Sequence, residues 1–385
     1  MDSRPSNRAS DVPRGAPSRW RAVVSGQAAG LGPALARAGL AVLAGGYRAG
    51  LAAANLARRL GGTPRRAPCP VISVGNLTVG GTGKTPMVAY LATLLAAEGY
   101  RPLIASRGYG AEGGAANEEA AELALRCPQV PHVQDPDRLR AIRDAAASGE
   151  AFDVAILDDG FQHRRLARDL DIILLDALCP FGHGHLLPRG LLREPPTALH
   201  RADVVVVTRA DLVDPAALAD IKAAAGHYAA PGTPVLTAEH RPAGVVFADG
   251  SRAPADWLDG RTVAAACGIG NPEAFRRTLE RLGAPVARFD AFRDHHAYTA
   301  DEVSHLRAAA RDAGAAALVT TAKDFVKWRP LLADEAAGEA TRESRAAAAV
   351  RIAALEVAMH LVDGEDVLRR RVLDVLPEPR PGGDR

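Results

Sequence analysis

The sequence predicts an α/β protein: a mostly parallel sheet with helices on both faces, and a second, smaller α/β domain joined to it by a β-hairpin linker. Three observations carry this expectation. Short β-branched apolar runs alternate with helix-spaced segments along most of the chain, as successive βαβ units do. Residues 71–95, VISVGNLTVGGTGKTPMVAYLATLL, place a strand, a glycine loop and a helix end to end. After Pro231 the rhythm changes: apolar runs at 234–240 and 244–248, closed by Asp249-Gly250, read as a hairpin before the alternation resumes.

The glycine loop makes the first domain resemble P-loop NTPases. Val71-Ile72-Ser73-Val74 is the apolar, β-branched strand. From Thr85 the apolar spacing is helical, with Pro86 near the helix start, where a missing N–H costs little. Between them, Gly80, Gly81, Thr82 and Gly83 let backbone N–H groups close around phosphate oxygens, and the helix N-terminus adds positive potential. Lys84 is placed to reach the β- and γ-phosphates and Thr85 to ligate Mg²⁺. Thr78 stands where the usual spacing has its first glycine. A phosphate loop of this kind needs hard oxygen ligands nearby for the metal. The apolar run at 152–157 ends in Asp158-Asp159, and one or both hold the ion, directly or through water.

Length and charge narrow the classes. A chain of 385 residues fills two domains, and a net charge of +2 gives no global sign of nucleic-acid binding. The four cysteines, Cys69, Cys127, Cys179 and Cys267, form no CxxC pair, which argues against a zinc site or disulfide scaffold. The near-neutral total hides an asymmetry: residues 12–97 contain no Asp or Glu but nine arginines and Lys84. Within that span residues 31–60 are Ala/Leu-rich and helical in pattern. Arg37, Arg48 and Arg59 recur every eleven residues on one stripe, and Leu35, Val42 and Leu43 fall largely on another face. Arginine interrupts the run too often for a membrane span. Two readings remain, a helix packed on the core with a solvated Arg face, or a basic amphipathic segment lying on an anionic leaflet. The wide deficit of acids favours the second. Gly45-Gly46 is expected to kink or split this helix. The resulting divisions are a disordered tail at 1–17, the membrane-associated segment at 18–62, the phosphate-loop core at 63–232, the linker at 233–252, the second α/β domain at 253–375 and a disordered tail at 376–385.

Further along, a strand at 101–106 runs into Arg107-Gly108-Tyr109-Gly110, where a sheet's carboxyl end places ligands. His183 and His185 have no third ligand to complete a metal site. Residues 187–195 carry Arg189, Arg193 and Glu194, either a surface turn or a clamp for an anionic, hydroxylated substrate. Thr208-Arg209-Ala210-Asp211 resembles, weakly, the guanine-reading NKxD of GTPases. Residues 333–348, rich in Ala and Glu, read as an insertion or flexible loop.

Taken together, VGNLTVGGTGKTP, SRGYG, LDDGFQHRRLARDLDI, LLPRGLLREP, VVVTRADLVD, GIGNPEAF, Asp294-His295 and LVTTAKD resemble the tetraacyldisaccharide 4′-kinase family over about residues 30–330. The resemblance implies ATP- and Mg²⁺-dependent phosphorylation of the 4′-hydroxyl of a tetraacylated disaccharide 1-phosphate, in lipid A biosynthesis. It implies a peripheral enzyme on the cytoplasmic face of the inner membrane, whose partners are that lipid and an anionic membrane surface. It also carries roles over by position. Lys84 and Thr85 serve the triphosphate and metal, Asp158 and Asp159 the metal, and His295 matches the histidine of the catalytic pair. The aspartate of that pair falls at Glu118, one methylene longer, with Glu119 as a possible substitute. Asn76, Tyr109, Arg138, Gln162, Arg193 and Glu194 match substrate contacts. Because His295 comes from the second unit, the two domains are expected to close over ATP. Two other readings compete: a P-loop GTPase or ATPase acting as a metal-delivery or partner switch, and a decayed kinase that only binds lipid.

Overall fold

The computed structural model describes residues 19–108, 118–270, 272–293, 296–337 and 350–378. Tyr109, Asp294 and His295 lie outside this set, as do residues 1–17 and 379–385 of the expected tails and residue 18 of the expected membrane-associated segment.

Twelve strands among the described residues form one sheet. The first part comprises β1 (Val71–Asn76), β2 (Pro102–Ser106), β3 (His132–Gln134), β4 (Val154–Asp158), β5 (Leu170–Asp176) and β6 (Val204–Thr208). These lie in the order β6-β5-β1-β4-β2-β3, all parallel. Their runs are continuously apolar because both faces are covered. On one face Ile72, Val74, Ile104, Ile156 and Ile172 pack under α3 (Lys84–Ala97) and α4 (Glu118–Arg126). On the other, Val71, Leu103, Ala155 and Leu157 meet α5 (Arg138–Ala147), while Ile173 and Val205 lie in a cluster with Ala225 of α6 (Pro215–Tyr228).

The sheet continues through β7 (Val235–Phe247), with the two-residue β8 (Arg252–Ala253) beside it, into the second part. There β9 (Val263–Cys267), β10 (Val286–Ala291), β11 (Ala317–Thr321) and β12 (Arg351–Asp363) lie in the order β10-β9-β11-β12. This part is covered by α7 (Pro272–Arg281), α8 (Ala300–Asp312) and α9 (Ala322–Ala337). The expected hairpin at 234–248 is instead one strand. Its antiparallel partner is β12, paired from Ala353↔Phe247 to Asp363↔Thr237, and only the turn at Asp249-Gly250 folds back, onto β8. Two further expectations change. Helix α9 runs on to Ala337, so residues 333–337 are helical, while 338–348 fall outside the description. The last helix, α10 (Glu365–Leu373), leaves the second domain and buries Leu368 and Val372 in the core under α3.

The β7–β12 ribbon sets the geometry of the cleft. β7 begins parallel to β6, and β12 begins parallel to β11, yet the two run antiparallel to each other. The carboxyl ends of both halves of the sheet therefore face one another across the middle of the ribbon. Thr237 pairs with β6 and Val245 lies opposite Leu355, the last residue of β12's shared stretch with β11, so the two edges are separated by roughly 26 Å of strand. Helix α4 packs against both halves. Its Leu123 enters the first core and its Leu125 the second, and Arg126 donates to the Val357 carbonyl at 2.5 Å.

Ahead of the sheet, α1 (Arg19–Val24) leads into α2 (Leu31–Leu60), a single helix that Gly45-Gly46 does not split. Pro33, Leu40, Ala44, Tyr47 and Leu51 of α2 are half-buried, at helical spacing. On the opposite side Leu31, Leu35, Val42, Leu56 and Leu60 are exposed, Leu35 and Val42 by 72% and 76%. At 100° per residue these five fall within a stripe about 60° wide. No helix among the described residues is long and apolar enough to cross a membrane.

Candidate active site

The loop after β1 has the geometry that its residues predict. Gly80 and Gly83 take φ of 117° and 89°, backbone that side chains rarely adopt, and Gly83 is the residue from which α3 starts. A Cβ on Gly83 would stand 2.7 Å from His240 Nε2 of β7, so the close approach also demands glycine. Thr82 is buried and accepts a hydrogen bond from Asn76 Nδ2 at 3.0 Å. Lys84 and Thr85 open α3.

β4 pairs with β1, Val74 opposite Asp158, which brings the acid pair beside the loop. Asp158 is buried at the strand end. Asp159 turns out of the strand in left-handed backbone (φ 55°) and meets Lys84 Nζ at 3.6 Å and Arg193 Nη1 at 2.7 Å. Burial alone would raise the Asp159 carboxyl, but Lys84, Arg193 and Arg138 outweigh it and hold it below the usual carboxylate range. Arg138 is buried at the start of α5, where burial works against its charge and Asp159 supports it.

Arg193 is the hub of a hydrogen-bonded cluster beside the loop. Besides Asp159 it donates to Asn76 Oδ1 at 2.9 Å, Gln162 Oε1 at 3.2 Å and the Thr78 carbonyl at 3.1 Å. Gln162 in turn donates to the Asn76 carbonyl at 3.0 Å. Thus Asn76, Thr78, Asp159, Gln162 and Arg193 form one connected cluster. Glu194 does not join it. Both its oxygens are taken by Arg201, at 3.0 and 3.1 Å, and Arg201 lies over the Phe161 ring. Glu194 thereby braces the loop that carries Arg193.

Glu118 is the first residue of α4. Its Oε2 lies 3.3 Å from Lys327 Nζ of α9, and that ammonium also donates to the His296 carbonyl at 3.1 Å. The carboxylate from the first half and the residue next to His295 from the second half therefore share one lysine. Tyr109 and His295 themselves lie outside the described residues.

Several residues at the site escaped sequence reading. Tyr47 of α2 donates to the Arg193 carbonyl at 3.0 Å, and Asn55 of α2 accepts from Arg164 at 2.8 Å. A lone tyrosine in an Ala/Leu-rich helix was the available signal. Arg201 and Lys327 carried none, since each meets its partner only in the folded chain.

The sequence model of one family, tetraacyldisaccharide-1-P 4'-kinase, matches residues 36–376. The chain is 44% identical over 322 residues to the tetraacyldisaccharide 4'-kinase of Anaeromyxobacter dehalogenans, covering 79% of this chain and 81% of that protein. It is 46% identical over 281 residues to the kinase of the same name from Geobacter metallireducens, covering 68% of this chain and 80% of that one. Among solved structures, LpxK from Aquifex aeolicus in complex with ATP superposes with a TM-score of 0.68 at 29% identity, covering 89% of this chain and 99% of that one. The glycine loop, the acid pair after β4 and the Arg193 cluster thus stand in a chain that belongs to the tetraacyldisaccharide-1-P 4'-kinase family.

Proposed function

We propose that the chain transfers the γ-phosphate of ATP to the 4′-hydroxyl of a tetraacylated disaccharide 1-phosphate, working peripherally on the cytoplasmic face of the inner membrane. The observation that carries the reading is the junction of the glycine loop with Asp159 and Arg193. It joins a triphosphate site to a cluster of hydrogen-bonding groups suited to a sugar phosphate.

Phosphoryl transfer asks for positioning and charge stabilisation more than covalent chemistry. The loop amides and the α3 N-terminus hold the phosphates. Lys84, which now rests on Asp159, has a partner that a triphosphate can replace. The acid pair fits a hard divalent cation: Asp159 Oδ1 is buried and accepts no hydrogen bond, and Asp158 lies beside it at the sheet edge. With Thr85 they would hold Mg²⁺, which when bound offsets charge on the phosphate oxygens. Glu118 accepts the proton of the attacking hydroxyl, with His295 tuning it. Arg138, Asn76, Gln162 and Arg193, with Tyr109, orient the sugar and its phosphate.

The exposed apolar stripe of α2, opposite its protein-facing side and flanked by arginine, suits the headgroup region of an anionic leaflet. A substrate with four acyl chains requires such a surface. The test is product formation: purified protein, ATP, Mg²⁺ and the tetraacyl disaccharide phosphate in mixed micelles, read by mass spectrometry. Gain of one phosphate supports the reading. ATP or GTP hydrolysis that is indifferent to the lipid would support a nucleotide switch, which family membership does not favour.

A further inference from the structure

The segment Thr208-Arg209-Ala210-Asp211 looks like a base reader in sequence, yet the side chains of Thr208 and Arg209 turn to the phosphate loop. Arg209 Nη2 donates to the Gly81 carbonyl at 2.7 Å, and Thr208 Oγ1 donates to the Thr82 carbonyl at 2.9 Å. The guanidinium is anchored from behind, Nη1 meeting Asp176 Oδ2 at 2.6 Å at the end of β5. Arg209 adopts left-handed backbone (φ 56°), uncommon for a residue with a side chain, to make this reach.

We propose that Arg209 is a positioning residue for phosphate transfer, which, together with Thr208, sets the direction of the loop amides that grip the nucleotide. The argument is geometric. In a planar trans peptide the C=O and N–H point to opposite sides. Holding the Gly81 carbonyl outward turns the Thr82 N–H inward, and holding the Thr82 carbonyl outward does the same for the Gly83 N–H. Two donors are thereby aimed into the concavity where phosphate oxygens sit. Asp176 keeps the arginine from following the phosphates as a mobile cation. The inference deepens the kinase reading and rests on ATP binding at this loop.

The test compares wild type with Arg209→Met, Arg209→Lys and Asp176→Asn in the full chain. Two quantities are read: the Kd for Mg²⁺ with a non-hydrolysable ATP analogue, and KM for ATP and for the lipid acceptor. Arg209→Met is expected to raise the analogue Kd and the ATP KM tenfold or more, with the acceptor KM within twofold. Arg209→Lys recovers part of the loss, since an ammonium can still reach one of the two acceptors. Asp176→Asn gives a smaller shift in the same direction. If Arg209→Met does not fold, the other two variants decide. An analogue Kd within twofold of wild type in every folded variant overturns the proposal. So does an equal rise in both KM values, or a switch between ATP and GTP preference at unchanged affinity. Wild type that binds the analogue but makes no phosphorylated lipid would sink the kinase reading and leave this comparison intact.

Discussion

Asp159 holds a backbone conformation that disfavours side chains, and Lys84, Arg193 and Arg138 keep its carboxyl below the usual carboxylate range. Lys84 is the one of these proposed to meet the nucleotide. Lys84→Ala is expected to abolish product by mass spectrometry while vesicle binding, which we assign to α2 by proposal, stays unchanged. Glu118, paired with Lys327 at 3.3 Å, is the carboxylate proposed to accept the hydroxyl proton. Glu118→Gln is expected to lower kcat by about 10²–10⁴-fold, the usual worth of a general base, while Glu118→Asp retains measurable turnover. A Glu118→Gln variant with wild-type kcat would remove that residue from the mechanism. Three histidines, His132, His163 and His240, are each pushed down to about 4 chiefly by burial. Each binds its proton more readily unfolded than folded. Their contribution to stability is therefore complete above the ordinary histidine value and is lost as pH falls from there toward 4, by up to about 1.4 kcal/mol per pH unit for each of His132 and His240 and by less for the half-exposed, solvent-screened His163. The thermal midpoint should drop between pH 7 and 4.5, and His240→Gln should make that drop shallower.

At the scale of elements, what could be read in advance was what local chemistry dictates. The strand, glycine loop and helix at 71–97 were legible because glycine and proline act at their own positions. The place of the acid pair beside the loop was legible because an apolar strand ends in it, and β4 does pair with β1 there; its metal role is a proposal. The ribbon was not. Two apolar runs interrupted by Arg241-Pro242 resemble a hairpin locally, but the true partner, β12, lies more than a hundred residues away and no local pattern names it. Likewise the length of α2 was readable from composition, whereas its contact with Arg193 through Tyr47 was not. For α2 the expected outcome is separable. Replacing Leu35, Val42 and Leu56 together with serine should abolish co-sedimentation with anionic vesicles while leaving ATP-analogue affinity within twofold. Retained co-sedimentation would place the membrane contact elsewhere.

At the scale of the whole molecule, the division drawn at residues 63–232 and 253–375 is crossed twice. Helix α4 contributes to both cores, and α10 returns to the first. Arg252 reinforces the crossing, bonded to Glu356 at 2.7 Å and to the Leu125 carbonyl at 2.5 Å. Leu368 and Val372 are fully buried among residues of α3, and Tyr90 and Glu98 of that helix region bind Glu365 and Arg369. Leu368→Ala is expected to cost about 2–5 kcal/mol by chemical denaturation, the range for a buried leucine. It should also weaken ATP-analogue binding, although it lies far along the chain from the glycine loop. A stability loss with unchanged nucleotide affinity would make α10 a mere appendage.

That returning helix has a consequence for biosynthesis. A ribosome releases α3 long before it reaches α10, and at bacterial translation speeds the interval is on the order of tens of seconds. Throughout it the nascent nucleotide lobe exposes the groove that Leu368 and Val372 will fill. A transcript truncated upstream of Glu365 would therefore yield an unfinished first lobe, a natural client for chaperones or proteases, in place of a working half-enzyme.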